Sequence, residues 1–153
     1  MIQIKKVTGT EIPMLLPLIA AYRDFEGIDP ISPERTTSAL GQLLQSPELG
    51  SAWFALHSST VAGYLIGVYV FSLEHIGMTA EVDELFVRPA SRHTGAGTAL
   101  LSCAENEFSR VGCTNVSLQL SRTNDLAYGF YQRRGYGERP GFELLEKHLP
   151  ADR

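Results

Sequence analysis

Apolar and polar positions along the chain repeat with two periods, and the changes between them mark out a β-α-α-β-β-β-α-β-α-β succession. Ile2 to Val7 reads as a short first strand. Thr10 is placed to cap a helix bearing Ile12, Leu15, Leu16, Ile19 and Tyr22, with Pro13 tolerated in the first turn and Pro17 expected to bend or shorten it. Ser32-Pro33-Glu34 is a strong second helix start, Leu40, Leu43 and Leu44 form its buried stripe, and Ser46-Pro47 stops it. From Ser51 the character changes to strand: Ala52 to His57, a Ser58-Ser59-Thr60 turn, then Val61 to Ser72, rich in β-branched and aromatic residues. Gly63 and Gly67 interrupt that long strand and predict a bulge or a close contact. Thr79 to Val87 is the next strand. Leu100, Ala104, Phe108 and Val111 then give a helix one buried face, and Gly112 ends it. Val116, Leu118 and Leu120 alternate with Ser117, Gln119 and Ser121 as a strand with one apolar face, whose polar end delivers Asn124 to a helix ended by Gly135. Phe142 to His148 is expected to close the sheet. The fold class predicted is α/β in the α+β sense, a mixed sheet flanked by helices, and 153 residues are enough for one good core, so residues 1–153 are expected to form a single domain.

The chemistry begins where the strand Asp83-Glu84-Leu85-Phe86-Val87 runs through Arg88-Pro89 into Arg92-His93-Thr94-Gly95-Ala96-Gly97-Thr98 and an apolar helix. A strand that breaks into a glycine-bearing turn and then a helix can hold a pyrophosphate without metal. Backbone N–H groups of the turn and the first helical turn converge on the anion, and the helix dipole adds to the attraction. Gly95 and Gly97 let the backbone come close, and Arg92 can add charge-assisted contacts. Two other phosphate loops are excluded. A P-loop needs Lys and then Ser or Thr after its last glycine, where this chain has Thr98, Ala99 and Leu100. A dinucleotide fingerprint follows the first strand of its unit, whereas this loop lies two-thirds of the way along. An ordinary glycine turn capping a helix is the plain alternative.

A second segment, about thirty residues on, changes the balance. Asn124-Asp125-Leu126-Ala127-Tyr128-Gly129-Phe130-Tyr131-Gln132-Arg133-Arg134-Gly135-Tyr136 reads as Asn-x-x-Ala-x-x-Phe-Tyr-x-x-x-Gly-aromatic. In this order and at this separation, the two motifs together resemble the GCN5-related N-acetyltransferase (GNAT) superfamily. The resemblance covers essentially the whole chain and is weakest before residue 50. It implies the GNAT fold, a central mixed β-sheet splayed around acetyl-CoA with flanking helices, and a direct transfer of acetyl to a primary amine.

Composition leaves this reading open and limits it. Hydrophobic residues make up 44% and charged residues 20%, the profile of a globular protein. A formal charge of −4 argues against nucleic acid as partner, which usually needs a basic face, and suits a cationic substrate. No apolar stretch approaches the roughly 20 residues that span a bilayer, and Met1-Ile2-Gln3-Ile4-Lys5-Lys6 has no signal-peptide core, so neither membrane nor export is expected and the cytoplasm is the default. Cys103 and Cys113, the only cysteines, are expected as reduced, partly buried thiols, on the helix and at the start of the next strand. His57, His75, His93 and His148 show no ligand spacing, so no metal is expected.

What the resemblance implies for the site falls on particular residues. Main-chain groups of Leu85, Phe86 and Val87 would hold the pantetheine arm, and an N–H of that stretch would serve the thioester oxygen. The cradle from Arg92 through His93, Thr94, Gly95, Ala96 and Gly97 to Thr98 would hold the pyrophosphate. Tyr131 would protonate the leaving thiolate beside the CoA sulfur; a phenol of pKa about 10 suits a thiolate of about 8.5. Asn124 would contact the pantetheine amide, with plain N-capping as its other explanation. An aliphatic amine of pKa about 10.4 reaches the site protonated, so a base or a water chain ending in a carboxylate is useful. The acid of polyamine-type members aligns with Asp83; Glu84 is the second candidate. Strand alternation places Glu81 and Asp83 on one face and Glu84 on the other, so the three cannot all serve one site. A solvated strand face or plain attraction of a substrate ammonium is the other reading of these acids. One departure is His93, where many relatives have glycine; a positive φ is less easily reached there, and the turn could be altered.

The acceptor is less specified. Tyr22, Phe25, Glu26 and Asp29, in the segment between the first two helices, could wall an ammonium site, with Tyr69, Phe71, Glu74 and His75 opposite. A small cationic amine leads, and amino acid, aminoglycoside and protein amines remain open. Large side chains at Phe86 and Tyr131 favour acetyl over longer acyl groups. A noncatalytic acyl-CoA-binding regulatory module is the reading from another class. A homodimer is a further expectation of the resemblance.

Overall fold

The computed structural model describes residues 1–151. Five strands form one mixed sheet in the order β1-β2-β3-β4-β5: β1 (Ile2–Lys6), β2 (Gly50–His57), β3 (Thr60–Ser72), β4 (Gly77–Val87) and β5 (Val116–Leu118). The first four are joined antiparallel, and β5 is parallel to β4. Four helices accompany them: α1 (Ile12–Glu26), α2 (Pro33–Leu44), α3 (Ala96–Arg110) and α4 (Asp125–Gln132). Met1–Gln119 and the chain from Leu120 onward form two units. The first holds the sheet with α1, α2 and α3; the second holds α4.

Strand alternation assigns the two faces of the sheet. Ala52, Phe54, Tyr64, Ile66 and Phe86 point to one side and bury against Ile12, Leu15, Leu18 and Ile19 of α1 and Leu40 of α2. Trp53 and Tyr69 point to the other, where each meets the ring of Phe108 on α3 edge-on, at 5.9 and 6.0 Å between centroids. Gly63 and Gly67 mark close approaches, as their place in a long strand suggested. A Cβ on Gly67 would lie 2.5 Å from Cζ of Phe108, and one on Gly63 would lie 2.5 Å from the carbonyl oxygen of Phe86.

Several local expectations are corrected. Thr10 does not cap α1. A 3-10 turn over Gly9–Glu11 precedes the helix, and the Thr8 N–H donates to Oε1 of Glu11 at 2.9 Å. Pro17 does not shorten α1, which continues to Glu26, because a proline in the second turn deletes a single N–H and here lies on the exposed side. The helix stops at Gly27, which takes φ +69° and lets the Ile28 N–H reach the Arg23 carbonyl at 2.9 Å. Ser32 caps α2 as expected, accepting from the Arg35 N–H at 3.2 Å. The strand after Cys113 starts only at Val116. Phe142 to His148 forms no strand, so the closing strand is absent from the described sheet. A strand exists only through pairing, and the unit that contains this segment offers no other strand to pair with.

Candidate active site

The site begins with a fault in a ladder. Leu65 pairs with Leu85 and Ile66 with Glu84, but Gly67 pairs with Val82, so Asp83 is an extra residue in β4 with no opposite number. Such a β-bulge bends its strand and reverses the alternation beyond it. Ile66 and Val68, two residues apart, share a face of β3; their partners Glu84 and Glu81 therefore share the same face of β4. The separation of Glu81 from Glu84 expected from alternation is overturned by this one residue.

The bulge also lies where β4 loses a partner. β5 pairs with β4 only through Ala80, Glu81 and Val82. From Glu84 to Val87 the strand is paired with β3 alone, and among the described residues no strand covers its other edge. Backbone polar groups on such an edge are available to an extended ligand that carries amides of its own. Leu85 and Val87 are half-buried along it. Phe86 turns its ring into the core against Tyr22 and Tyr64, at 6.3 and 6.4 Å. Its bulk therefore belongs to the packing under the strand, and the size argument for acetyl built on Phe86 does not hold.

Beyond β4 the chain makes a 3-10 turn over Pro89–Ser91 and enters α3 through a left-handed turn. His93 takes φ +65° and Gly95 φ +92°. The histidine thus adopts the positive φ that a glycine would take, at a cost of about 1–2 kcal/mol, and the turn is kept. The Thr94 hydroxyl donates to the Ser91 carbonyl at 2.5 Å and ties the turn together. Gly95 is the N-cap of α3 and supplies no side-chain cap, so the positive end of the helix dipole lies at Ala96 and Gly97 without a side-chain acceptor from the cap residue. Thr98, the next residue of that turn, is exposed. Arg92 donates from Nε to the Val87 carbonyl at 3.3 Å, and its guanidinium lies 5.7 Å from the ring centre of Phe25. These residues fit a phosphate: left-handed turn, uncapped helix start and a cation are all present.

Beside the bulge stands a buried donor that sequence reading did not single out. Tyr64 is fully buried and donates from its hydroxyl to Oε1 of Glu84 at 2.7 Å. Lost solvation raises the Glu84 carboxyl; the Tyr64 hydrogen bond opposes this, the Asp83 charge adds to it and Arg23 lowers it again. Asp83 is raised as well, by lost solvation, although the residue as a whole keeps solvent exposure. Tyr64 carried no motif signal. Its one clue was a tyrosine in an otherwise apolar strand, which requires a partner for its hydroxyl when buried.

The residues considered for the acceptor divide. Tyr22, Phe25 and Glu26 lie on the last turn of α1, not in a loop, and Tyr22 packs edge-on against Tyr64 at 6.5 Å. Asp29 follows the helix, its carbonyl accepting from Nε of Arg23 at 2.6 Å. Tyr69 is on the opposite face, against Phe108, and so does not wall the same site as Tyr22. Phe71 and Glu74 are exposed, and His75 offers its carbonyl to the Thr114 hydroxyl at 3.4 Å. Cys103 and Cys113 are free, and lost solvation raises both thiols, as for inert rather than nucleophilic cysteines.

In the second unit, Asn124 caps α4 by accepting from the Ala127 N–H at 3.2 Å, so its capping role is realised. Tyr131 is half-buried in the last turn of α4, with Phe130 at 5.2 Å and Tyr136 at 5.6 Å. Among the described residues no cluster of three His, Cys, Asp or Glu side chains could hold a metal, and no helix is long and apolar enough to cross a membrane.

The described residues thus form an α/β arrangement in which a strand edge with no second strand beside it leads into a left-handed turn and an uncapped helix start. The comparisons make the class specific. The sequence model of the Acetyltransferase (GNAT) family matches residues 18–136, and the chain belongs to that family. It is 36% identical over 70 residues to the uncharacterized N-acetyltransferase YhfO of Bacillus subtilis, a match covering 46% of this chain and 47% of that protein. The chain thus spans about half the length of that relative. Among solved structures, a predicted acetyltransferase with acetyl-CoA from Clostridium acetobutylicum superposes with a TM-score of 0.80, at 18% identity over 95% of this chain and 96% of the other. The aminoglycoside N-acetyltransferase AAC(6')-Iy in complex with CoA superposes with 0.83, at 14% identity over 97% and 96%. The fold is the GNAT fold.

Proposed function

We propose that the protein transfers an acetyl group from acetyl-CoA directly to a primary amine, with a small cationic amine as acceptor. The observation that carries this is the edge of β4 left open between the Asp83 bulge and the phosphate-fitting start of α3. Main-chain groups of Leu85, Phe86 and Val87 would hold the pantetheine, and the turn from Arg92 to Thr98 the pyrophosphate. When bound, acetyl-CoA supplies an acyl carbon already activated by its thioester. An N–H of the open edge stabilises charge that develops on the acyl oxygen, since the neighbouring strand no longer competes for it. Asp83 and Glu84 supply the carboxylates that accept a proton, and Tyr131 the phenol that returns one to the thiolate. Asn124 meets the pantetheine amide with the side-chain donors that capping does not use. The gathering of Glu81 and Glu84 on one face supports a cationic acceptor, as does the aminoglycoside enzyme among the structural neighbours.

The test is release of CoA thiol from acetyl-CoA across polyamines, amino acids, aminoglycosides and lysine peptides, beside Tyr131→Phe. Amine-dependent release is expected for one class. The variant is expected to lose roughly a hundredfold in turnover with acetyl-CoA affinity within about twofold. Tight acetyl-CoA binding with no release from any amine would instead identify a noncatalytic acyl-CoA-binding module.

A further inference from the structure

This inference rests on the acetyl-transfer reading and decides between the two carboxylates of its site. The bulge sets Asp83 and Glu84 side by side, yet their surroundings differ. Glu84 is half-buried, and its Oε1 is held by the Tyr64 hydroxyl at 2.7 Å. Tyr64 is itself locked: it is fully buried, with Tyr22 edge-on at 6.5 Å and Phe86 at 6.4 Å. Burial first, then the Glu84 charge, pushes its phenol far above the ordinary range, so it remains a donor at every working pH. A donor that stays protonated on a ring that cannot swing is a rigid support for the group it bonds. Asp83 differs not in lost solvation, which raises its carboxyl too, but in that the residue keeps solvent exposure and has no counterpart of the Tyr64 hydrogen bond acting on it.

We propose that Tyr64 is a positioning residue that fixes the Glu84 carboxylate, making Glu84 the proton acceptor of acyl transfer and leaving the exposed Asp83 to draw in the cationic acceptor by charge. The acceptor arrives as an ammonium and loses two protons. One goes to Glu84, directly or through water, which frees the nitrogen lone pair. The carbon–nitrogen bond then forms as the carbon–sulfur bond breaks, the thiolate takes a proton from Tyr131, the second nitrogen proton restores Tyr131 through water, and Glu84 gives its proton to solvent. The groups acting on Glu84 are Tyr64 from β3, Asp83 on its own strand and Arg23 from α1, while Tyr22 of α1 acts on Tyr64.

Two readouts test this in wild type, Tyr64→Phe, Asp83→Asn and Glu84→Gln: the acidic limb of kcat/KM against pH, and the Glu84 carboxyl titration followed by carbon-13 NMR. Tyr64→Phe removes a donor that favours the ionised carboxylate. Both readouts are expected to move to higher pH by roughly one unit, kcat to fall roughly tenfold to a hundredfold, and KM for acetyl-CoA to stay within about twofold. Asp83→Asn removes a like charge, so the limb moves down in pH while KM for the amine rises. Glu84→Gln abolishes the limb. Unchanged readouts in a folded Tyr64→Phe overturn the proposal, and so does a limb that survives Glu84→Gln and vanishes in Asp83→Asn. If Tyr64→Phe does not fold, 3-fluorotyrosine at position 64, a stronger donor of nearly the same shape, replaces it: both readouts are then expected to move down in pH, and unmoved readouts overturn the proposal. A wild type that releases no CoA with any amine sinks the acetyl-transfer reading instead, and the NMR titration still shows whether Tyr64 anchors Glu84.

Discussion

Gly67→Ala adds one methyl group at the most crowded point beneath α3. The new Cβ would stand 2.5 Å from Cζ and 2.9 Å from Cε1 of Phe108, and 3.6 Å from Cζ3 of Trp53. The phenyl ring cannot step aside cheaply, because Trp53 and Tyr69 hold it edge-on from two sides at 79° and 81°. Inserting a methyl into so tight a core costs about 1–3 kcal/mol. In a chain of this size each kcal/mol lowers Tm by about 2–4 °C, so the expected drop is about 2–12 °C. Thermal melts read by circular dichroism, with urea titrations for ΔG, measure it. The decisive comparison is Gly67→Ala combined with Phe108→Leu: the smaller side chain should take back part of the loss, with a coupling of about 1 kcal/mol or more in favour of the pair. A Gly67→Ala protein that melts with the wild type would refute the packing argument, and so would single-variant costs that simply add. Gly67 also stands across the ladder from the register shift that produces the Asp83 bulge, so the same variant reports on how firmly core packing holds the site.

His93 sits at φ +65°, a region that β-branched residues tolerate least, so His93→Val should be destabilised in urea denaturation relative to wild type while His93→Gly should lose none; equal effects would mean that this turn does not require a left-handed residue. Glu107 is paired by Arg110 at 2.7 Å and by Lys6 of β1 at 3.6 Å, and the Arg110 hydrogen bonds draw its carboxyl down to about 2. Its stabilisation is therefore fully present above the unfolded value of 4.5 and lost as pH falls through about 2. Because the pair is solvated, Glu107→Gln should cost under about 1 kcal/mol at pH 7, with a gap to wild type that closes toward pH 2; a gap that stays constant with pH would exclude the ionic origin.

Much of this protein was readable in one dimension. Ser32-Pro33 set the start of α2, and glycines in a β-branched strand announced two close approaches that Phe108 and the Phe86 carbonyl supply. The glycine-bearing turn before α3 was legible from Gly95 and Gly97, while His93, read as a departure that could alter it, takes the positive φ itself. The misreadings share a cause, since each concerned an event that sequence registers only through a partner. Alternation put Glu84 opposite Glu81 because nothing in Glu81 to Glu84 says that β3 will pair with one residue fewer. Tyr69 was set opposite Tyr22 as a wall of the acceptor site, although its face is set by register with β2 and β4. Phe142 to His148 has the apolar content of a strand, and strand formation depends on a neighbour.

By itself, then, the sequence determined what short-range physics controls: where helices start, where the backbone must turn left-handed, and which residue types could carry phosphate and proton chemistry. Tertiary structure alone decided which of those groups meet. The extra residue at Asp83, the end of β5 at Leu118 and the buried hydroxyl of Tyr64 against Glu84 are consequences of pairing and burial between segments distant in the chain. A side chain's face, solvation and partner are properties of those long-range contacts, and no local pattern encodes them.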